Sequence, residues 1–193
     1  CIKNKIEEAV LSVGYKSEKI IAHFGDNYKG LPIRYAVEEN PLGTGGAIRF
    51  ALEGSDKDTI WAVLNGDTLF ACELNDLESF MTAKGADMVL ALKKMYNFDR
   101  YGLVDINSNG RVLNFLEKRQ TAVGLINAGV YLFKAGIIIH YFSLGEKFSF
   151  EKDFLETHLN NIKIYGLEMQ GYFIDIGIPE DFEKANKDLQ NHK

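Results

Sequence analysis

Three carboxylates and a run of glycines carry the chemistry this chain could perform. Asp67 follows the apolar run IWAVL in LNGDTLF, and Asp175 leaves a short aromatic run in FIDIGIPEDF. Acids just past strand ends lie where open α/β sheets bind ligands. Singly, each is as well explained as a turn residue, with Asn65 or Asp67 capping the next element. As a converging pair they suit a hexacoordinate magnesium ion, which takes few protein oxygens and keeps phosphates and waters. Glu38 ends a third strand-like run, and the stretch ENPLGTGGAIRFALE, residues 39 to 53, sets glycines and a threonine directly before an amphipathic helix. Glycines at such a junction let the backbone approach a neighbour closely, and the first N–H groups of the helix point at it. An ionised Glu only accepts hydrogen bonds, whereas Gln or Asn both donates and accepts. Guanine offers two adjacent donors, N1–H and N2–H2, on its Watson–Crick edge; uracil and thymine mix a donor with acceptors. Glu38 beside the turn therefore suits guanine. The plainer alternative is a solvated strand-end acid paired with Glu39.

These residues need elements to hold them. Short apolar runs alternate with helical patterns through the first half: VLSVGY, SEKIIAHFGD, PIRYAVEE, GGAIRFALEG, TIWAVLNGD and LNDLESFMTAKG. That alternation predicts crossover units and a mostly parallel sheet covered on both faces. After ADMVLALKK the rhythm changes to successive strands, YGLVDI, RVLNFLEK and LINAGVYLF, with a hairpin turn at NSNG, residues 107 to 110. A helix around SFEKDFLETHL, strands NIKIYGLEM and GYFIDI, and a last helix opened by Pro179 complete the pattern. The opening segment IKNKIEEA reads as helix with no strand before it, whereas a sheet of this type begins with a strand and a ligand-binding turn. The expectation is one domain over residues 1 to 193, incomplete at its N-terminus.

With 193 residues, 46% hydrophobic and 25% charged, the chain is long enough for one well-filled core. Its net charge of -5 offers no general attraction to nucleic acid or anionic membrane, so neither is an expected partner. No apolar run approaches the roughly 18 residues needed to span a bilayer. Two cysteines, Cys1 and Cys72, are too few for a disulfide framework or a cysteine-built zinc site. With no leader read before the first helical pattern, a cytoplasmic setting is expected. Exposed aromatics such as Tyr141 and Phe142 are candidates for a contact between copies in a homo-oligomer.

EENPLGTGGA, LNGD, the Tyr101-Gly102 pair, FLEK, INAGVY, SFEKD and DIGIPEDF occur in one order over nearly the whole chain. Together they resemble the sugar-1-phosphate nucleotidylyltransferases, the pyrophosphorylase family, and most of all guanylyltransferases acting on D-glycero-D-manno-heptose 1-phosphate, with those acting on mannose 1-phosphate next. The resemblance implies an α/β fold, a three-layer Rossmann-like mixed sheet of the nucleotide-diphospho-sugar transferase type. It implies transfer of GMP from GTP to a sugar 1-phosphate for surface polysaccharide synthesis, with Mg2+ as cofactor. Nucleotide binding falls by resemblance to Glu38, Leu42, Gly43, Thr44, Gly45, Asn65 and Gly66. Asp67 and Asp175 become metal-holding catalytic acids and Lys118 a catalytic cation. Gly102, Glu117, Lys118, Asn127 and Glu151 match positions around the sugar and its phosphate. For these too a plain alternative exists: a surface lysine for Lys118, a satisfied strand amide for Asn127, a helix-start acid for Glu151.

No general base is needed, because the attacking phosphate is already ionised, so His23, His140, His158 and His192 are left without a role. Arg119 stands where the family commonly has proline and Ile178 where it commonly has threonine. The family's glycine-rich signature, with an Arg in its loop and a Pro-Lys pair after it, is absent from these residues, so the chain alone is expected to turn over GTP poorly. A catalytically inactive regulatory homologue is the alternative of another class. A metal-dependent glycosyltransferase is disfavoured because no second acid lies two residues from Asp67. A nicotinamide dehydrogenase is disfavoured because LGTGGA follows its acid instead of preceding it.

Overall fold

The computed structural model describes residues 6 to 190, residue 190 by its backbone alone. The chain divides into two compact units, Cys1–Ile60 with Lys134–Asn160, and Trp61–Phe133 with Asn161–Lys193.

The first unit is built on strand β1 (Ala9–Val13), helix α1 (Ser17–Phe24), the short β2 (Asn27–Tyr28), β3 (Leu31–Val37) and helix α2 (Gly43–Ala51). β1 and β3 run parallel in the register Ala9 to Ile33 through Val13 to Val37, and β2 adds antiparallel to the other edge of β3. α1 ends at Gly25, whose φ of 63° only glycine adopts without strain and whose N–H closes on the Ile21 carbonyl. The later segment adds α4 (Ala135–Tyr141) and a π-helix (Phe150–Glu156). Ser149 caps the π-helix by accepting from the Lys152 N–H, while Asp153 reaches back to the Ser149 N–H at 2.7 Å. The two bonds make a reciprocal cap one residue wider than the usual box, which fits the wider turn. Its inner face joins an aromatic cluster: Phe142 stacks on Phe148 at 3.6 Å, Phe150 on Phe154 at 5.5 Å, and Tyr141 on His158 at 4.0 Å.

The second unit contains β4 (Ile60–Leu64), β5 (Thr68–Phe70), α3 (Leu74–Lys84), β6 (Met88–Phe98), β7 (Leu103–Ile106), β8 (Val112–Leu116), β9 (Thr121–Lys134), β10 (Ile164–Glu168), β11 (Phe173–Asp175) and α5 (Pro179–Gln190). Its main sheet has the order β10-β6-β9-β7-β8, with β4 also on β9. β6 is parallel to β10 and antiparallel to β9, and β7 is antiparallel to both β8 and β9. Met88 through Leu92 are all fully buried, the unbroken apolar reading of a strand covered on both faces. α3 turns Leu74, Leu77 and Met81 inward at helical spacing and stops at Gly85, in the left-handed region. β5 and β11 form a separate antiparallel ribbon. The expected hairpin at 107 to 110 is present: the Asn107 side chain accepts the Asn109 and Arg111 N–H groups, and Gly110 takes φ 83°.

Four expectations need correction. Residues 6 to 8 are irregular and Ala9 already belongs to β1, so the opening helix fails there; its earlier part lies outside the described residues. The sheet is mixed and divided, since among the described residues only β1–β3 and β6–β10 pair in parallel. β2, β5 and α4 are elements the pattern did not separate from their flanking turns. Tyr141 and Phe142 are half-buried in the aromatic cluster of their own unit instead of exposed.

Candidate functional site

In the first unit, the side chain of Glu38 faces the turn, as the donor and acceptor argument requires. The Glu38 N–H extends the β1–β3 pairing by donating to the Val13 carbonyl, which fixes the side chain at the strand end. Oε2 accepts the Leu42 N–H at 2.9 Å and Oε1 accepts the Ser12 hydroxyl at 3.2 Å. A carboxylate offers about four lone-pair sites. Capacity for a ligand's donors therefore remains beside these two bonds.

The glycines are packed closely by the chain's own backbone. Gly45 and Gly46 donate to the Phe148 carbonyl at 3.0 and 3.4 Å, and the Phe148 N–H returns a bond to the Leu42 carbonyl. A Cβ at Gly43 would lie 2.6 Å from the Phe148 carbonyl oxygen, one at Gly45 2.1 Å from the Phe148 ring, and one at Gly46 2.5 Å from the Glu146 carbonyl oxygen. What approaches this backbone is the chain's own 146 to 148 segment. Of the first four N–H groups of α2, only those of Gly43 and Thr44 lack an acceptor among the described residues. The Thr44 hydroxyl accepts the Phe150 N–H at 2.9 Å, tying the start of α2 to the π-helix. Glu151 is exposed in the first turn of that helix.

This packing predicts a stability effect. Alanine at a helical glycine normally stabilises by up to about 1 kcal/mol, but Gly46→Ala drives a methyl into backbone oxygen. We expect a loss of about 1–3 kcal/mol, seen as a Tm several degrees lower. Gly14→Ala, whose Cβ would meet nothing nearer than 3.8 Å, is the control and should leave Tm nearly unchanged.

In the second unit, Asp67 immediately precedes β5 and Asp175 ends β11, the two strands of the antiparallel ribbon. Asp175 pairs with Thr68 in register, and the next bond runs from the Ile176 N–H to the Asp67 carbonyl at 2.9 Å. The acids are thus one register step apart. Asp67 is exposed and accepts the Thr68 hydroxyl at 3.2 Å; Asp175 is half-buried and accepts the Gly177 N–H at 2.7 Å. Among the described residues no three His, Cys, Asp or Glu groups form a metal cluster. Two lightly engaged carboxylates match the small protein share that magnesium takes when phosphates and water complete its shell.

Asn65 and Gly66 join β4 to this ribbon. The Asn65 N–H donates to the Gly129 carbonyl at 2.8 Å, and its side chain lies where a Cβ on Gly129 would sit 2.9 Å away. Gly129, at φ 71°, belongs to the bulge where β9 swells against β6 between Leu90 and Leu92. Asn127 starts that bulge: its amide oxygen accepts the Gly129 N–H at 3.1 Å and its NH2 donates to the Tyr131 hydroxyl at 2.7 Å. These are bonds of a satisfied strand amide. Gly102 comes close to β8, with a hypothetical Cβ 2.8 Å from the Leu116 carbonyl oxygen. The pairing of Leu103 with Leu116 sets Glu117 and Lys118 beside Gly102, both exposed and without a hydrogen bond or ion pair to the described residues.

Sequence reasoning passed over Ser12, Thr68, Arg100 and Asp181. Arg100 pairs with Asp181 in the first turn of α5, and the Tyr101 phenol is raised above its ordinary range, by burial first and then by the charge of Asp175. Tyr101 was visible in a motif, but its relation to Asp175 crosses more than 70 residues of sequence. A small cleft of about 210 Å³ touches Gly66, Asp67 and Ile176 under Phe182 of α5. The wider groove of about 790 Å³ lies elsewhere, between α3 and the end of β10, and none of the expected site residues lines it.

The family model described as Nucleotidyl transferase matches residues 1 to 192. A D-glycero-alpha-D-manno-heptose 1-phosphate guanylyltransferase of Aneurinibacillus thermoaerophilus is 45% identical over 190 residues, covering 98% of this chain and 81% of that protein. One of the same description from Campylobacter jejuni subsp. jejuni serotype O:2 is 42% identical over 180 residues, covering 93% and 78%. The crystal structure of HddC from Yersinia pseudotuberculosis complexed with GMP-PN shares 32% identity at a TM-score of 0.80, covering 97% of this chain and 81% of that one.

Proposed function

We propose, because this chain belongs to the nucleotidyl transferase family, that it is an enzyme transferring GMP from GTP to D-glycero-α-D-manno-heptose 1-phosphate, releasing pyrophosphate and a GDP-sugar. The observation that carries the reading is the near end-to-end likeness to two heptose 1-phosphate guanylyltransferases. The orientation of Glu38 supports it: an acceptor-only side chain stands at the α2 turn with lone pairs left for the two donors of guanine. Gly43 and Thr44 supply N–H groups for the same ligand, and Leu42 and Gly45 hold the turn in shape.

In this reading an oxygen of the sugar 1-phosphate attacks the α-phosphorus of GTP, and the bond from that phosphorus to the bridging oxygen of pyrophosphate breaks. No proton has to be removed from the attacking group. Protein residues contribute position and charge. Lys118 neutralises the sugar phosphate as a compact cation that imposes no fork geometry. Gly102 lets that phosphate or its sugar approach the backbone, and Glu117 and Asn127 accept or donate to sugar hydroxyls. Asp67 and Asp175 would hold Mg2+, which when bound absorbs charge on the triphosphate. Asn65 and Gly66 fix Asp67 on the Gly129 bulge.

No described helix is long and apolar enough to cross a membrane. We place the enzyme in the cytoplasm, in surface polysaccharide synthesis, with GTP and a sugar 1-phosphate as its partners. The test is a comparison of nucleotides. GTP with Mg2+ should raise Tm more than UTP, dTTP or ATP, and heptose 1-phosphate should release more pyrophosphate from GTP than mannose 1-phosphate does. Equal shifts by all four nucleotides would refute the base reading, and preferential use of mannose 1-phosphate would refute the sugar.

A further inference from the structure

The Glu38 carboxylate is held at both of its oxygens, by groups from different elements of the first unit. Oε2 accepts the Leu42 N–H at 2.9 Å, at the turn into α2, and Oε1 accepts the hydroxyl of Ser12, on β1, at 3.2 Å. The strand register explains why Ser12 reaches it. Ser12 stands opposite Ala36 in the parallel β1–β3 pair, and Ala36 and Glu38 alternate onto the same face. The next position on that face along β1 is Gly14, where a Cβ would lie 4.0 Å from the Glu38 Cβ. Glycine puts no side chain there, so Ser12 is the last side chain that β1 sets beside the carboxylate.

The bond has little to do for folding. The strand ends are already joined by the Glu38 N–H on the Val13 carbonyl at 2.8 Å, and the Ser12–Glu38 bond is exposed, where water replaces a lost partner. Its consequence is orientation. A carboxylate held through one oxygen still turns about the bond to its chain, whereas contacts on both oxygens fix its plane. The adjacent N1–H and N2–H2 donors of guanine need both oxygens side by side in the plane of the base, the paired geometry that gives parallel hydrogen bonds their specificity. Ordering the side chain beforehand also removes rotamer freedom that binding would otherwise have to remove.

We infer that Ser12 is a positioning residue that fixes the plane of the Glu38 carboxylate, and through it the preference for a base with two adjacent donors over a base with one. The inference rests on reading Glu38 as the group that reads the guanine edge.

The experiment is calorimetric titration with GTP and with inosine triphosphate, whose base keeps N1–H and lacks the N2 amino group, with Tm measured alongside. Ser12→Ala should bind GTP about 10-fold more weakly at an unchanged Tm, the loss of one hydrogen bond to a charged group. Binding of inosine triphosphate should fall less, so the preference for GTP narrows. Ser12→Thr keeps a hydroxyl and should recover most of both. Adding Ser12→Ala to Glu38→Gln should cost little more GTP affinity than Glu38→Gln alone, because the two residues act through one group. Ser12→Ala keeping both the GTP affinity and the preference, while Glu38→Gln loses GTP, overturns this inference alone. An equal loss toward both nucleotides at a lowered Tm makes Ser12 a structural tie and overturns it as well. Glu38→Gln with its preference for GTP intact overturns the base reading and this inference together.

Discussion

Glu38→Gln is expected to weaken GTP binding by about 100-fold or more, roughly 3 kcal/mol, while leaving the fold intact. The variant suits the purpose because both protein contacts of Glu38 survive it. A glutamine oxygen can still accept the Leu42 N–H, and its NH2 can donate to Ser12, whose hydroxyl accepts as readily as it donates. Stability should therefore change by less than about 1 kcal/mol, as for exchange of one satisfied polar group by another. The guanine edge is treated differently. One of its two donors would meet a donor, and a buried donor left without acceptor is penalised more heavily than a missing bond is. Uracil, whose N3–H is flanked by acceptors, gains a complementary partner in Gln, so UTP affinity should hold or improve. Calorimetric titration with GTP and UTP gives the ratio. An unchanged preference for GTP would mean that Glu38 is only the cap of α2.

The difference between what is legible and what is hidden follows from sequence distance. β6 announces itself because five consecutive apolar residues fill a strand buried on both faces. The NSNG hairpin does so because Asn107 and Gly110 satisfy a turn within four residues. Asp67, Asp175 and Glu38 were readable as strand-end acids, and the structure does place each at the end of a strand or its turn. The purpose of the α2 glycines was not readable, because their steric partner, the 146 to 148 segment, lies about 100 residues away. β5 and β11 exist only as partners of each other; three residues of strand carry no periodicity of their own. The mostly parallel sheet was misjudged for a related reason. Alternating helix and strand patterns give connections, but β9 and its bulge decide which strands become neighbours.

The largest catalytic effect is expected at the acid pair. Asp67→Asn and Asp175→Asn each remove one negative charge and little else, since asparagine oxygens can keep the bonds from the Thr68 hydroxyl and the Gly177 N–H. Tm should stay close to that of the natural protein. Turnover should fall by about 100- to 1,000-fold, the loss seen when one electrostatic contributor to a charged transition state is deleted. Two features distinguish this from a general disturbance of the site. First, the Mg2+ concentration giving half-maximal pyrophosphate release should rise in each variant, because a neutral amide is a poorer ligand for a hard cation than a carboxylate. Second, the double variant should lose much less than the product of the single losses, because the two acids serve one cation and removing the first already forfeits most of what the second contributes. Independent multiplication of the losses, with Mg2+ dependence unmoved, would assign the two acids separate structural duties and remove the metal from this site.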